Sequence, residues 1–143
     1  MGGVFDGVRV IELAQFVYVP GAGAMMADQG AEVIKIETID GDPYRTLQAG
    51  GNRTLGSINI SMEQNNRGKK SVALDLKTAE GREVLLRLVE SADVFLTSLR
   101  PRAITALGLD VAARTWRTRS IGHWAASTPS TRCSEAYPPG YDA

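Results

Sequence analysis

Residues 7–37, GVRVIELAQFVYVPGAGAMMADQGAEVIKIE, decide the fold predicted for this chain. Val8–Leu13 is mostly apolar and rich in β-branched residues, which is typical of a strand that a parallel sheet buries on both faces. Glu32–Glu37 predicts a second strand, and a helix is expected between the two over Gly21–Gln29. Two strands joined through one short helix indicate a right-handed parallel crossover.

The ends of this helix are marked by residues that suit those positions. Pro20 is favoured in a first helical turn, where its missing N–H costs nothing, and Gly30 suits the left-handed position just after a helix. The preceding connection, AQFVYVP, is unusually apolar for a loop. Two interpretations stay open for it: ordinary packing, or an apolar wall around an acyl or pantetheine chain with backbone N–H groups aimed at an oxygen.

The same alternation continues to about residue 110. Strands are predicted over Ser71–Leu74 and Val94–Thr97, and a helix over Ala79–Ser91, with Thr78 as its N-cap. A last short helix is expected from Pro101 to Leu107. The repeated β-α-β order predicts the α/β class, with a Rossmann-like, mainly parallel sheet and flanking helices.

Two further expectations concern packing and loops. The helix over 79–91 is expected to bury the apolar stripe Val84, Leu85, Leu88 and Val89. The glycine-rich stretch Gly41–Ser57 is expected to be a surface loop over a ligand or a partner.

Composition limits the class of protein. A chain of 143 residues suits one domain with a sizeable core. Its 16 basic and 16 acidic residues balance, so we expect neither nucleic acid nor an anionic membrane as a partner. No apolar stretch approaches the roughly 18 residues of a membrane-spanning helix. The single cysteine, Cys133, and an N-terminus without a secretory signal predict a cytoplasmic protein.

The sequence changes character near Asp110. Residues 111–138 have no run of four apolar residues and no regular apolar period, although they contain both tryptophans, Trp116 and Trp124. A disordered extension is one interpretation of this tail.

Candidate binding residues follow from the sheet. Open parallel sheets bind ligands beyond the carboxyl ends of their strands. Lys77 and Arg100 stand at two such ends, where Arg can bind a phosphate as a bidentate fork and Lys as a point charge. An ordinary solvated surface is the alternative of equal weight for each residue.

Dinucleotide binding is disfavoured. Gly21 and Gly23, followed by Glu37, resemble half of a dinucleotide-binding fingerprint, but the glycines stand well past the strand end and Met26 replaces the third glycine.

A metal site is not predicted. His123 and Cys133 have no second pair of ligands to complete a zinc site, and a polar turn explains Asp40 and Asp42 better than a metal does.

Several stretches resemble one family when they are taken in order: FDGVRVIEL, GAEVIKIE, GDPYR, NNRGKKSVALDLKTAEGREVLLRLVESADVFL and RPRAITALGLD. Together they are similar to the class III CoA-transferases (CaiB/BaiF), which include formyl-CoA transferase and the α-methylacyl-CoA racemases. The resemblance runs from about Phe5 to Asp110. It is specific because several separate motifs recur in the same order.

This resemblance implies that residues 1–110 are a CoA-binding segment, the N-terminal part of a longer protein whose chains form interlocked homodimers. The implied substrates are coenzyme A, as acyl-CoA, and a carboxylic acid, with no metal. Six residues match positions that contact or flank CoA in relatives: Val17, Leu74, Lys77, Ser98, Leu99 and Arg100.

Not every matched position keeps the family residue. Val17 stands where many transferases have glutamine, so it lacks a side-chain donor there. Lys77 is expected near a phosphate. Of the usual Asn-Phe-Arg at 98–100, only Arg100 is kept.

The resemblance also implies a mechanism, in which an aspartate nucleophile passes CoA between acyl groups through mixed-anhydride and thioester intermediates. That aspartate is expected beyond Ala143, and Asp142 does not match it. We therefore assign no catalytic residue and expect no turnover from this chain alone. Tyr141 stands where racemases tend to carry histidine, which favours a transferase over a racemase.

The tail departs from the family and then returns to it. Residues 139–143, PGYDA, match the family again at about the usual distance, whereas residues 111–138 do not. Two compensating frame changes between about Asp110 and Pro138 are our hypothesis, and a divergent insert is the alternative.

Three rivals to the transferase interpretation remain. The chain could be a racemase fragment or a non-catalytic nucleotide- or partner-binding α/β module. It could also fail to fold stably because a sheet edge is left uncovered.

Overall fold

The structure is a computed structural model that describes residues 2–46, 54–55 and 58–109. The tail segments predicted at 111–138 and 139–143, with Trp116, Trp124, His123, Cys133, Tyr141 and Asp142, lie outside the described residues. So does much of the loop expected at 41–57.

Strands and helices alternate along the described chain. The first half contains β1 (Arg9–Leu13), α1 (Tyr18–Asp28), β2 (Glu32–Glu37), a 3-10 turn (Pro43–Arg45), β3 (Thr54–Leu55) and β4 (Ile58–Asn59). The second half contains α2 (Ile60–Asn66), β5 (Lys70–Ala73), α3 (Ala79–Glu90), β6 (Val94–Thr97) and α4 (Pro101–Ala106). The class predicted from the sequence, α/β, is confirmed.

Within the described residues, four strands form one parallel sheet in the order β5-β2-β1-β6. Strand β1 lies between β2 and β6, and its register places Glu12 opposite Lys35 on one side and opposite Leu96 on the other. Strand β5 continues the sheet beyond β2, with Lys35 opposite Ser71. The short strands β3 and β4 form a separate antiparallel hairpin. All four carboxyl ends of the main sheet therefore meet at one edge, as the predicted crossovers require.

Helices cover both faces of the sheet. On one face, Val10 and Val33 pack with Met26 and Ala27 of α1. On the other face lies a larger core that joins alternate strand residues to α3 and α4: Ile11, Leu13, Ile36, Phe95, Leu85, Val89 and Ile104. Successive side chains of a strand point to opposite faces, so β1 and β2 contribute to both cores.

The ends of α1 follow from local chemistry. The helix begins at Tyr18, three residues before the predicted start, because Pro20 is accommodated inside the first turn, where no N–H is needed. At the other end Gly30 has a φ of 100°, as predicted for the residue after the helix. Its N–H donates to the Ala27 carbonyl and the N–H of Ala31 to that of Met26, both at 3.0 Å, which satisfies two of the last carbonyls.

Two sequence expectations need correction. Val84 is exposed rather than part of the buried stripe, because α3 turns Leu85 and Val89 onto the sheet and leaves position 84 toward solvent. The loop expected at 41–57 contains a 3-10 turn and reaches a hairpin, and the helix α2 that follows was not predicted. Its signals were local: the Asn59 side chain accepts the Met62 N–H at 3.1 Å as an N-cap, and Glu63 lies in the first turn.

We expect Leu85→Ala to lower the free energy of unfolding by about 2–5 kcal/mol, because it empties a fully buried position in the larger core. Val84→Ala, one residue away on the exposed side of the same helix, should change it by less than about 0.5 kcal/mol. Urea unfolding of both variants measures the difference. Equal losses would show that α3 faces the sheet through a different stripe.

Candidate functional site

A cleft opens at the carboxyl end of the sheet. It is lined by residues that follow the strands on both sides of the centre: Leu13, Gln15, Thr38, Gly41, Leu76 and Leu99. The walls are mostly apolar, and the segments after β1, β2, β5 and β6 all reach it. The strand-end rule used on the sequence therefore locates a real concavity.

The residues predicted to contact CoA fall into separate groups at this end. Leu74 and Lys77 follow β5, whereas Ser98, Leu99 and Arg100 follow β6. Because β5 and β6 are the outer strands of the described sheet, the two groups are three strand spacings apart, or roughly 14 Å. The structure thus places both groups on one edge of the sheet, where Leu76, next to Lys77, lines the same cleft as Leu99.

Val17 lies in the segment that contacts the group after β6, although the contact is made by a neighbouring residue. It is the N-cap residue of α1 and contributes no side-chain hydrogen bond there. Two residues earlier, the Gln15 N–H donates to the Ser98 hydroxyl oxygen at 3.2 Å. Phe16, Val17 and Tyr18 are all exposed, so the apolar loop noted in the sequence faces solvent rather than the core.

Phe16 adopts an unusual backbone conformation. Its φ of 67° is the one positive value at a non-glycine residue in the described part of the chain. Such a conformation costs on the order of 1–2 kcal/mol for an L-residue and persists only where the surroundings hold it. The Phe16 ring meets the Tyr44 ring edge-on, with centroids 6.1 Å apart, and its N–H points at Asp42 Oδ1 over a long 3.5 Å.

The two side chains predicted to bind phosphate, Lys77 and Arg100, have no acidic partner in the part of the chain that the structure describes. Lys77 and Arg100 are exposed, and within the described residues neither makes an ion pair or a side-chain hydrogen bond. Lys70, at the amino end of β5, differs, since its ammonium pairs with Glu32 at 2.6 Å. Free positive charge on this sheet edge is what an anionic ligand requires.

Four buried charged side chains lie beneath the loop and α1. Lys69 Nζ contacts Glu12 Oε2 at 2.7 Å, Lys35 Nζ lies 3.4 Å from Glu12 Oε1, and Lys35 Nζ contacts Asp42 Oδ2 at 2.7 Å. We call this chain of two positive and two negative groups the buried ionic chain. Each of its side chains is at most 2 % exposed, so each charge is stabilised by the neighbouring charges and not by solvent.

Sequence reasoning missed the buried ionic chain. The available signal was a single charge inside each apolar strand, Glu12 in RVIEL and Lys35 in EVIKIE. Parallel pairing places these two residues opposite each other on the face that α1 covers. Lys69 and Asp42 come from segments after α2 and β2, and no spacing in the sequence indicated that they would join.

The buried ionic chain explains the glycine at position 23. A Cβ built at Gly23 would lie 2.0 Å from Glu12 Oε2 and 3.2 Å from Lys69 Nζ. The glycine in α1 therefore lets the helix approach a buried carboxylate. That accounts for this glycine without a dinucleotide.

Burial shifts the pKa of both members of the Glu12–Lys69 pair. It raises the pKa of the Glu12 carboxyl above the ordinary 4.5, although Lys69 and Lys35 act to lower it. It likewise lowers the pKa of the Lys69 ammonium from the ordinary 10.5, against the opposing effect of Glu12. Glu12 Oε1 has no hydrogen-bond partner within the described residues, which adds to the cost of its charge.

Glu37 anchors a second ion pair at the end of β2. Arg45 Nη2 and Nε donate to its two carboxylate oxygens at 2.7 and 2.9 Å, and the Asp42 N–H and the Ser71 hydroxyl also donate to it. Burial alone would raise the pKa of Glu37, but these donors outweigh it and hold the pKa below the ordinary 4.5. The turn at 43–45 is thereby fixed to the sheet edge.

Two kinds of feature are absent from the described ranges. No helix there is long and apolar enough to cross a bilayer. No group of three His, Cys, Asp or Glu residues in that part of the chain is placed to hold a metal ion.

Comparison with known proteins shows the family. A model of CoA-transferase family III matches residues 5–142. The chain belongs to CoA-transferase family III. It is 43% identical over 108 residues to the cinnamoyl-CoA:phenyllactate CoA-transferase of Clostridium sporogenes, covering 75% of this chain and 26% of that protein. It is 38% identical over 109 residues to the (R)-2-hydroxy-4-methylpentanoate CoA-transferase of Clostridioides difficile, covering 74% and 27%.

The fold agrees with solved structures of family III. A CAIB/BAIF family protein from Brucella suis superposes with a TM-score of 0.69 at 34% identity, over 79% of this chain and 30% of that chain. The present chain spans about a quarter of the length of the curated relatives it matches. The family resemblance drawn from the sequence is confirmed, and the six matched positions remain predictions.

The contact above Glu12 gives a stability test. Gly23→Ala should lower the free energy of unfolding by about 1–3 kcal/mol, although alanine favours helix, because the new methyl would overlap the Glu12 carboxylate. Gly21→Ala is the matched control in the same helix, since its Cβ would meet only the Asn65 side-chain oxygen at 3.1 Å. Thermal or urea unfolding compares the two. Equal effects would mean that α1 does not lie against Glu12.

The lowered pKa of Glu37 gives a pH test. Its folded pKa lies below the unfolded value of 4.5, so its stabilisation is present above pH 4.5 and is lost as pH falls through the folded pKa. Glu37→Gln should therefore lower stability near neutral pH and flatten its acid dependence. Unfolding free energies between neutral pH and about pH 3 measure this slope.

Glu32→Gln is the comparison variant. Lys70 and Arg9 also lower the pKa of Glu32, but they do so at the exposed opposite end of the sheet, where solvent screens the charges, so we expect this substitution to flatten the acid slope less. An acid slope that Glu37→Gln leaves unchanged would rule out the Glu37–Arg45 pair as its source.

Proposed function

We propose that this chain is the CoA-binding N-terminal part of a class III CoA-transferase. The observation that carries the proposal is the family match over residues 5–142, together with 43% identity to a CoA-transferase across three quarters of the chain. The reaction of the whole protein is then transfer of CoA between carboxylic acids through an aspartyl intermediate, and the aspartate is supplied by a residue beyond Ala143.

The geometry of the sheet edge supports a CoA site. Lys77 and Arg100 are exposed and have no ion-pair partner among the described residues, which suits the phosphates of CoA. The small, mostly apolar cleft at this edge suits part of the pantetheine arm, and it is lined by Leu76, Leu99 and Gln15, the neighbours of Lys77, Arg100 and Phe16. Leu74, Ser98 and Leu99 belong to the same proposed site, as does Val17 at the start of α1.

The finer points are part of the same proposal. The substrates are an acyl-CoA and a carboxylic acid, the domain is Rossmann-like, the protein acts in acyl-CoA metabolism in the cytoplasm, and it assembles as an interlocked homodimer. The name of the Clostridium sporogenes relative supports the substrate class, since it pairs cinnamoyl-CoA with phenyllactate. An α-methylacyl-CoA racemase fragment is the second candidate, and Tyr141, in place of the histidine typical of racemases, speaks against it.

Calorimetric titration tests the proposal. The chain should bind CoA more tightly than NAD or ATP. Lys77→Ala and Arg100→Ala should each weaken CoA binding roughly tenfold, as expected for loss of one charge-assisted hydrogen bond. Lys70→Ala is the matched control, because it removes a lysine from the other end of β5. A folded chain without CoA affinity, or an equal loss in all three variants, would contradict the assignment.

Assays of the same sample for transfer from formyl-, succinyl- or carnitinyl-CoA should show no rate above background. Turnover by this chain would instead place a complete catalytic set within it.

A further inference from the structure

We propose that the buried ionic chain positions the loop at the candidate ligand site, so that Glu12, Lys69, Lys35 and Asp42 are positioning residues. The part of this inference that concerns ligand binding rests on the proposed function. The part that concerns the loop rests on the contacts alone.

Both ends of the buried ionic chain stop at the same segment, residues 16–20. At one end Lys69 Nζ, besides contacting Glu12, donates to the Pro20 carbonyl at 2.7 Å and to Asn66 Oδ1 at 3.2 Å. Pro20 lies in the first turn of α1. The position of the start of the helix is thus tied through Lys69 to a carboxylate in the middle strand of the sheet.

At the other end Asp42 acts on the loop itself. Its Oδ1 accepts the Tyr44 N–H at 2.9 Å and faces the Phe16 N–H at 3.5 Å. Its Oδ2 accepts a hydrogen bond from the Lys35 ammonium. Asp42 therefore contacts the backbone of Phe16 and the backbone of Tyr44, whose ring packs against Phe16. These contacts surround the residue with the positive φ, which needs such restraint.

Stability alone does not explain four buried charges. Replacing a buried ion pair by apolar side chains of similar size is often neutral or even stabilising, because desolvation offsets the attraction. The contacts of the buried ionic chain are directional, whereas those of an apolar core are not. Each hydrogen bond to the loop therefore fixes the position of one particular loop atom. Because Phe16, Val17 and Tyr18 are exposed, packing against the core does little to fix this loop, and the contacts of Lys69 with the Pro20 carbonyl and of Asp42 with the Phe16 N–H supply fixed points.

The test uses double variants that remove one positive and one negative group together. Glu12→Leu with Lys69→Met unties Pro20 and leaves the Lys35–Asp42 pair intact. Asp28→Ala with Arg67→Ala is the matched control, because it removes an exposed ion pair that ties the far end of the same helix. Both changes keep the net charge.

The first readout is amide hydrogen exchange. The Gly21 N–H donates to the Val17 carbonyl at 2.7 Å and so reports the first turn of α1, while the Ile11 amide in the central sheet reports global opening. We expect Gly21 to exchange at least about tenfold faster in Glu12→Leu/Lys69→Met than in the control, with Ile11 unchanged. Equal Gly21 rates in both variants, or acceleration of Ile11 by the same factor, would overturn the positioning role.

The second readout is CoA affinity. We expect the Glu12→Leu/Lys69→Met variant to bind CoA about tenfold more weakly and the control to bind as the original chain does. Unchanged affinity with a loosened Gly21 would overturn the link to the ligand site. An original chain that binds no CoA would overturn the proposed function, and the exchange data would still decide the role of the buried ionic chain.

If that variant does not fold, Lys35→Met with Asp42→Asn tests the other end. The amide oxygen of asparagine can still accept the Tyr44 N–H, so we expect the Tyr44 and Phe16 amides to stay protected from exchange. Lys35→Met with Asp42→Leu removes that acceptor and should raise the exchange rates of both amides about tenfold. Identical protection in the two variants would overturn the role of Asp42.

Discussion

The pairing of Glu12 with Lys35 across the two central strands is the constraint on which the described structure depends. Both side chains are fully buried, and each charge would be costly in the apolar interior without opposite charges nearby: Glu12 has Lys35 at 3.4 Å and Lys69 at 2.7 Å, and Lys35 also has Asp42 at 2.7 Å. A shift of one residue in either strand would send one of them into the larger core on the opposite face. The ion pair therefore specifies the register of β1 and β2 more strictly than their apolar residues, which would pack on either face.

Other features of the face under α1 follow from this pair. The helix comes close to the Glu12 carboxylate, which only a glycine at position 23 permits. Lys69 pairs with the second carboxylate oxygen of Glu12 and Asp42 pairs with Lys35, so the segments after α2 and β2 must fold back onto the sheet. Local charge balance inside one layer thus determines where two distant segments lie.

Much of the fold could be predicted because it depends on local patterns. β-Branched runs located β1, β2 and β6 to within a residue, and the Thr78 side chain accepts the Gly81 N–H as the sequence suggested for an N-cap. The helix α2 was harder to predict, since ISMEQNN has a single buried apolar residue, Met62, and only the cap residue Asn59 and the acidic Glu63 marked its start. The prediction for Val84 was wrong for a related reason: three apolar residues in a row, at positions 84–86, leave the rotation of the helix open by more than one position.

The candidate site was predictable only in outline. Parallel strands bring their carboxyl ends to one edge, and that rule placed Lys77 and Arg100 there. Strand order decides how far apart the strands that lead to them lie, since β5 and β6 stand on opposite sides of the central pair, three strand spacings or roughly 14 Å apart. A ligand with phosphates and a long flexible arm, as we propose for CoA, can lie across the strand ends and touch both side chains.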